Sequence, residues 1–222
     1  MAALAGFDAI VLDAEHGAYD VETMPNLILA AKARKIFAIV RVRCGEPSLI
    51  SKALDAGADG VIVPQIGSAE EALAAVRAAR FAPKGKRGAN PWVRAADFGA
   101  TADWFEAANN SAAVILLVEG KDGVESLDQI CEVPDLDAVY FGPVDLSHAL
   151  GVPGQIDHPI VEETIKKAIS LASKRNVSVG VFAPNSQGAR KWRGYDFKIL
   201  AVGVDTGHVK QAFSAIVNDV RG

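Results

Sequence analysis

Short runs of apolar residues recur along the chain and alternate with longer stretches of helical periodicity. Because these runs are rich in β-branched residues and nearly continuous, they predict strands buried on both faces of a parallel sheet. The seven predicted strands cover residues 7–15, 36–42, 60–66, 112–119, 138–144, 177–183 and 195–203. The predicted helices cover residues 21–34, 47–56, 68–80, 101–109, 123–131, 158–174, 185–193 and 206–219.

This regular alternation predicts either a doubly wound sheet or a barrel. The strand count favours an α/β fold of the (β/α)8 TIM barrel type that lacks its first strand in this chain. A length of 222 residues, half of them hydrophobic, fits a single domain over residues 1–222. One long irregular stretch, residues 82–100, contains Trp92 and Phe98, which argue against disorder.

Composition excludes several classes of function. A net charge of -4 with no basic tract argues against a nucleic-acid partner. Neither a dinucleotide-type glycine turn nor a P-loop motif occurs, so nucleotide binding has no support. Cys44 and Cys131 form no metal-binding or disulfide pattern, which fits a reducing cytoplasm. No signal peptide or membrane span is indicated, and we expect no membrane partner.

Polar residues follow most of the predicted strands, and in barrels of this type the chemistry collects at the carboxyl ends of the strands. A single polar residue at a strand end is ordinary, but several from different strands that meet at one mouth indicate a site. The residues in question are Asp13, Glu15, His16, Arg41, Arg43, Gln65, Glu119 and Asp145.

Two carboxylates with no nearby cysteine suit a hard divalent ion such as Mg²⁺ or Mn²⁺, and Glu119 and Asp145 are the predicted ligands. The alternative is that each carboxylate only caps a helix. Arg41 offers a planar fork of donors suited to a carboxylate or an enolate oxygen. Arg43 is expected to serve the surface or a subunit contact.

His16 is a candidate proton shuttle that Asp13 would orient, because the ordinary pKa of histidine lies near neutral pH. The alternative is a surface histidine in a turn. Glu15 is expected to point away from these residues and only to anchor the turn. The other histidines fall in or beside predicted helices and are assigned no role.

Several motifs together have a familiar order and spacing. They are DAEHG at 13–17, VPQIGSAEEA at 63–72, GKRG at 85–88, RAADFG at 94–99, VEGKDGVESLDQI at 118–130 and FGPVDLS at 141–147. The chain resembles the HpcH/HpaI-type class II 2-oxo-acid aldolases, the family of 4-hydroxy-2-oxoheptanedioate aldolase and 2-dehydro-3-deoxyglucarate aldolase. The resemblance covers essentially the whole chain.

The resemblance implies a phosphoenolpyruvate/pyruvate-type barrel with a divalent ion, Mg²⁺ or Mn²⁺ with Co²⁺ also possible, on Glu119 and Asp145. It also implies that Arg41 contacts the keto oxygen and that His16 and Asp13 form the acid/base pair. The backbone amides of Val144 and Asp145 would hold the donor carboxylate. Gln65 is a further substrate-binding candidate at the same mouth.

The implied reaction is reversible retro-aldol cleavage of a 4-hydroxy-2-oxo acid to pyruvate, or hydroxypyruvate, and an aldehyde. The enolate formed on cleavage would be stabilised by the ion and Arg41. The family also implies a homo-oligomer, a trimer or a hexamer. The basic stretch 82–100, with Arg94 foremost, is the expected place for acceptor selection.

Two departures from the family pattern stand out. Family members usually carry a further strand before the GFDAIVLDAEH segment, which occupies residues 6–16 here, so that first strand is expected to be missing from this chain. Leu117 stands where a glutamine often precedes the metal-binding glutamate, which affects the expected donor preference.

Two other functions remain open from the sequence. A Schiff-base aldolase would need a lysine at the barrel mouth, and Lys198 is the only lysine inside a predicted strand, although it lies early in that strand. A non-catalytic 2-oxo-acid-binding protein is the second alternative. Cleavage of an acyl-CoA such as citryl-CoA is a less favoured related reaction.

Overall fold

The computed structural model describes residues 1–18, 20 and 22–222. Seven parallel strands form one sheet in sequential order, which curves into a nearly closed barrel. The strands are β1 (Ala9–Asp13), β2 (Phe37–Arg41), β3 (Gly60–Val63), β4 (Ala113–Leu117), β5 (Ala138–Phe141), β6 (Ser178–Ala183) and β7 (Ile199–Val202). The strand order leaves β1 and β7 at the two edges of the sheet. The predicted α/β barrel class is therefore confirmed.

Helices connect the strands and cover the outside of the sheet. They are α1 (Met24–Ala33), α2 (Pro47–Asp55), α3 (Ala69–Ala79), α4 (Trp104–Ser111), α5 (Lys121–Glu125), α6 (Leu127–Cys131), α7 (Pro143–Ala149), α8 (Pro159–Lys174), α9 (Ser186–Trp192) and α10 (Asp205–Arg221). Short 3-10 helices span Ala2–Ala5 and Arg94–Gly99. Ser68 is the N-cap of α3, where its hydroxyl accepts a hydrogen bond from the Glu71 backbone N–H.

The structure differs from the sequence pattern in a few places. Residues 195–198 are not part of the last strand, because Tyr195 and Phe197 pack against Trp192 at the end of α9, Tyr195 at a tilt and Phe197 edge-on. The helix predicted over 123–131 is two short helices that meet at Ser126. Helix α7 was not predicted. The helix start predicted at residue 21 lies outside the described residues.

Two layers of apolar side chains stabilise the barrel. The larger layer lies between the outer face of the sheet and the helices and includes Val40, Val61, Leu116, Phe141 and Ile165, all fully buried. The smaller layer fills the barrel interior with Ile62, Ile115, Leu117, Ala138 and Tyr140. Along each strand, residues that face the barrel interior alternate with residues that face the helices. The polar residue at the end of a strand is therefore held in place by packed apolar side chains.

Both cysteines are free thiols, with Cys44 exposed and Cys131 buried. Within the part of the chain that the structure describes, no helix combines the length and apolar character needed to cross a bilayer.

Candidate active site at the carboxyl ends of the strands

Asp13 and Arg41 form the first contact of the site. They are direct partners in the parallel register of β1 and β2, so their side chains leave the sheet side by side. The Arg41 guanidinium donates to both carboxylate oxygens of Asp13, with Nε 2.9 Å from Oδ1 and a second, shorter contact from Nη2. Burial alone would raise the pKa of Asp13, but hydrogen bonds from Arg41 and from the His16 backbone outweigh it and hold that pKa below its ordinary value.

Glu15 belongs to the same cluster, and the prediction that it points away was wrong. Its Oε2 lies 3.3 Å from Nη1 of Arg41, and its side chain is only 9% exposed. The side-chain amide of Gln65 lies 3.5 Å from its Oε1, at the limit of a hydrogen bond. Burial raises the pKa of Glu15, and the charge of Arg41 only partly offsets that effect.

Glu119 follows β4 and is buried, which is unusual for a carboxylate. Its Oε1 accepts the backbone N–H of Gln65 at 3.1 Å, a residue whose φ of 56° turns the chain sharply after β3. This bond joins the ends of two neighbouring strands. It leaves Oε2 of Glu119 available for another contact.

Asp145 lies opposite Glu119 across Gly142. A methyl group placed on Gly142 would lie 3.5 Å from Oε2 of Glu119 and 3.7 Å from Oδ2 of Asp145, so both oxygens border the same small space. Burial, with the nearby charge of Asp145, raises the pKa of Glu119 to about 7. Two carboxylates that repel each other in a partly buried space are suited to bind a divalent cation, because its positive charge would relieve the repulsion.

The available side chains also limit how many protein ligands such an ion would have. Within the described ranges, no group of three or more His, Cys, Asp or Glu side chains is placed to enclose a metal. The pair Glu119 and Asp145 would therefore supply two ligands and leave the other positions to water and substrate. This arrangement suits Mg²⁺, which needs six oxygen ligands and usually retains several waters.

Helix α7 adds backbone donors beside the two carboxylates. It begins with Gly142 as its N-cap and Pro143 as its first residue, so the amides of Val144 and Asp145 lie in the first turn, where N–H groups lack intrahelical partners. The fully buried Ser147 fixes this turn, because its hydroxyl donates to the Val144 carbonyl at 2.6 Å and accepts from the Gly154 N–H at 2.9 Å. The helix start therefore presents backbone N–H groups close to Glu119 and Asp145.

His16 lies at the rim of the cluster with an exposed side chain. Its backbone N–H donates to Oδ1 of Asp13 at 3.2 Å. Among the described residues, its imidazole makes no hydrogen bond to Asp13, whose carboxylate is occupied by Arg41. The structure thus places His16 at the mouth but does not show the Asp13 and His16 side chains as a hydrogen-bonded pair.

Three other candidates lie outside the cluster. Arg94 belongs to the connection from α3 to β4, which runs along the amino ends of the strands at the opposite face of the barrel. Arg43 donates to the Ala14 carbonyl at 3.2 Å and lies 3.9 Å from Glu46, as a surface residue would. Lys198 precedes β7 at its amino end and pairs with Asp196 at 2.6 Å, so its assignment to a strand was wrong.

Sequence reasoning missed two residues of this site. Glu15 could have been found from the period of a strand, because it lies two residues after Asp13 and so returns to the same side. Ser147 lies in a helix too short for periodicity to reveal, and only the contacts within the fold show its role.

The sequence profile of the HpcH/HpaI aldolase/citrate lyase family matches residues 1–212. The chain is 35% identical over 209 residues to a 5-keto-4-deoxy-D-glucarate aldolase of Escherichia coli O157:H7, which covers 94% of this chain and 82% of that protein. Among solved structures, an HpcH/HpaI aldolase/citrate lyase family protein of Burkholderia cenocepacia J2315 is 34% identical with a TM-score of 0.93, over 99% of this chain and 88% of that one. The citrate synthase SbnG is 31% identical with a TM-score of 0.88, over 99% and 86%.

Proposed function

Because the chain belongs to the HpcH/HpaI aldolase/citrate lyase family, we propose that it is a divalent-metal-dependent aldolase that cleaves a 4-hydroxy-2-oxo acid to pyruvate and an aldehyde. The observation that carries the proposal is the convergence of Arg41, Glu119, Asp145 and the start of α7 on one mouth. Arg41 provides a cationic hydrogen-bond donor, Glu119 and Asp145 provide anionic oxygens for a metal ion, and the start of α7 provides backbone N–H donors. A small oxo acid needs all three kinds of group.

The name of the E. coli relative suggests a substrate class. A 5-keto-4-deoxyglucarate, numbered from its keto end, is a 2-oxo acid with a methylene at C3, a hydroxyl at C4 and a second carboxylate. Cleavage between C3 and C4 would give pyruvate and a three-carbon aldehyde acid. We propose that this chain uses an oxo acid of the same kind, with a sugar-acid origin.

The chain's own groups would hold the oxo-acid end. The free N–H groups at the start of α7 would bind the carboxylate, since a helix N-terminus favours negative charge. Arg41 would donate to the keto oxygen, and its position is fixed because Asp13 and Glu15 both hold its guanidinium. The side-chain amide of Gln65, near Glu15, would contact the substrate at the rim.

Cleavage requires one proton to be removed from the substrate and another to be added to it. His16 would take the proton of the C4 hydroxyl, the C3–C4 bond would break, and its electron pair would move into the C2 carbonyl to give an enolate oxygen beside Arg41. The aldehyde would leave, and C3 would then receive a proton to give pyruvate. The exposed position of His16 suits exchange of its proton with water.

Glu119 and Asp145 would hold the divalent ion, Mg²⁺ or Mn²⁺. When bound, such an ion supplies a Lewis acid that stabilises negative charge on oxygen. Glu119 must be ionised to bind it, and its raised pKa of about 7 implies that protons and the ion compete for this carboxylate.

Leu117 supports pyruvate over hydroxypyruvate as the donor. Its Cδ1 would lie 3.7 Å from a methyl group on Gly142, within the same space that the two carboxylates border. A leucine offers an apolar contact to the pyruvate methyl group and no hydrogen bond to an added hydroxyl. We propose that Leu117→Gln shifts the preference toward hydroxypyruvate.

We also propose that the protein is a homo-oligomer, a trimer or hexamer. Helix α10 has no buried residue in the isolated chain. Its exposed apolar side chains are those of Val209, Phe213, Ile216, Val217 and Val220. Exposed apolar patches of this kind on a soluble protein usually mark a contact with another protein or subunit. A role for Arg94 in acceptor binding would require a second copy, since in one chain it lies at the other end of the barrel.

The test measures pyruvate release from 5-keto-4-deoxy-D-glucarate with lactate dehydrogenase and NADH. Activity should disappear in EDTA and return with Mg²⁺ or Mn²⁺. Manganese binding, followed separately by electron paramagnetic resonance, should be lost in Glu119→Gln and retained in Glu125→Gln, an exposed control. Activity that is unaffected by EDTA would refute the metal-dependent proposal.

The same preparation tests the other functions. Borohydride trapping of a pyruvate adduct on Lys198 would indicate a Schiff-base aldolase. Pyruvate binding without metal-dependent exchange of its methyl protons in deuterated water would indicate a binding protein. Citrate formed from oxaloacetate and acetyl-CoA would indicate the reaction named for SbnG.

A further inference from the structure

The barrel face opposite the candidate active site carries a cavity of about 430 Å³. Its walls come from the ends of α1, α2 and α4 and from the connection between α3 and α4. Because α2 ends just before β3 and α4 just before β4, this cavity lies at the amino ends of the strands. Its volume falls in the range of small-molecule sites, roughly 300–1,000 Å³. The lining includes none of the residues of the mouth.

Two buried donors at this cavity lack a partner in the protein. Arg87, whose side chain is 1% exposed, pairs through Nη2 with Asp55 at 2.6 Å, but its Nε has no acceptor among residues 1–18, 20 and 22–222. The indole Nε1 of Trp104 is likewise buried and without an acceptor in those ranges. Buried polar groups are nearly always hydrogen-bonded, so two such donors in one place need an explanation.

The two donors are neighbours. The Cζ atom of Arg87 lies 5.7 Å from the centre of the Trp104 ring, and both residues line the cavity. Phe81 packs against both, with its ring centre 4.4 Å from Cζ of Arg87, which fixes the guanidinium in place. Both orphan N–H groups therefore belong to neighbouring side chains that border the same cavity.

The charges around the cavity indicate where an anion would fit. Lys32 is paired with Asp59, and Arg87 with Asp55, which does not line the cavity. Arg94 and Asp97 are exposed at its edge and form no ion pair among the described residues. The two orphan donors thus belong to the buried side chains of Arg87 and Trp104, while Arg94 and Asp97 lie nearer to solvent.

We propose that this cavity binds a small carboxylic acid. Its carboxylate would accept from Nε of Arg87 and Nε1 of Trp104, and its hydrocarbon part would contact Ile28, Leu54 and Ala108. An ionised acceptor fits because hydrogen bonds that involve a charged partner are about twice as strong as neutral ones. The site is independent of the proposed aldolase reaction.

The experiment titrates succinate into protein that carries ¹⁵N-labelled tryptophan. The three indole N–H signals, from Trp92, Trp104 and Trp192, are assigned by their loss in single Trp→Phe variants. Succinate should move the Trp104 signal and saturate at one molecule per chain. The signal of Trp92, which is 73% exposed, should stay in place.

Calorimetry supplies the second measurement. Trp104→Phe keeps the ring that packs on Phe81 but removes one donor, and it should weaken succinate binding about 10-fold or more. Trp92→Phe, the matched control, should bind as the unsubstituted protein does. If Trp104→Phe does not fold, the shift of the Trp104 signal in the unsubstituted protein still decides the question.

Neutral succinamide and inorganic phosphate complete the comparison. Binding of succinate but not succinamide, with a moved Trp104 signal, would support the proposal. Three results would overturn it: no binding of succinate, binding that leaves the Trp104 signal unmoved, or binding of phosphate with equal or greater affinity.

Discussion

Arg41 and Asp13 are register partners in adjacent parallel strands, and the guanidinium of the first is held by both carboxylate oxygens of the second. The pair is partly buried, with exposed side-chain fractions of 23% and 32%. Glu15 holds the same guanidinium from another side. Arg41 therefore reaches the mouth with little freedom to move, which is the condition for a preorganised donor.

Arg41→Ala should lower kcat/KM for retro-aldol cleavage by roughly 100-fold or more, since it removes a donor to the developing negative charge. Arg43→Ala provides the control, because Arg43 contacts the Ala14 carbonyl and Glu46 instead of the mouth. Steady-state kinetics of both variants decide the point. Equal rates for the two would exclude Arg41 from the reaction.

His16→Ala should reduce kcat by roughly 100-fold while KM changes little, because a proton shuttle acts on the chemical step. The control is His158→Asn, which keeps a side-chain acceptor at the start of α8, where His158 accepts from the Ile160 backbone. A variant that keeps full kcat would remove His16 from the mechanism.

The raised pKa of Glu119 predicts how stability depends on pH in EDTA-treated protein. The folded-state pKa of about 7 exceeds the ordinary value of 4.5, so the folded protein binds this proton more tightly. The stabilisation is fully present below the ordinary pKa and is lost as pH rises through 7. This group should therefore remove up to about 3 kcal/mol from the free energy of unfolding between pH 4.5 and pH 8.

Urea unfolding across that pH range, in EDTA, measures the effect. Glu119→Gln should show a shallower decline than the unsubstituted protein, because glutamine does not titrate. Glu163→Gln, on the exposed surface of α8, should follow the unsubstituted protein. Identical pH profiles for all three proteins would contradict the assigned burial of Glu119.

Ser147→Ala should lower the free energy of unfolding by about 1–2 kcal/mol, because it removes the hydroxyl's hydrogen bonds to the Val144 carbonyl and the Gly154 N–H and frees the first turn of α7. Ser173→Ala, an exposed position in α8, should change stability by less than about 0.5 kcal/mol. Since α7 carries Asp145, Mn²⁺ affinity should also fall in Ser147→Ala alone. Normal stability and affinity in that variant would show that the hydroxyl does not fix the turn.

The sequence was sufficient for the order of the strands and for most of the mouth. Nearly continuous apolar runs identify buried strands wherever they occur, and parallel strands bring their carboxyl ends to one edge, so Asp13, Arg41 and Glu119 were expected together. The boundaries were less certain. Residues 195–198 have the composition of a strand, but aromatic packing on Trp192 holds them outside β7.

The amino-acid sequence by itself determined which residue types reach the carboxyl ends of the strands, because the alternation of strands and helices is encoded locally along the chain. Only the tertiary structure decided that Glu15 joins Arg41, that the 82–100 connection lies at the opposite face in one chain, and that Arg87 and Trp104 share a cavity. These outcomes depend on contacts between residues far apart in sequence. No periodicity along the chain encodes such contacts.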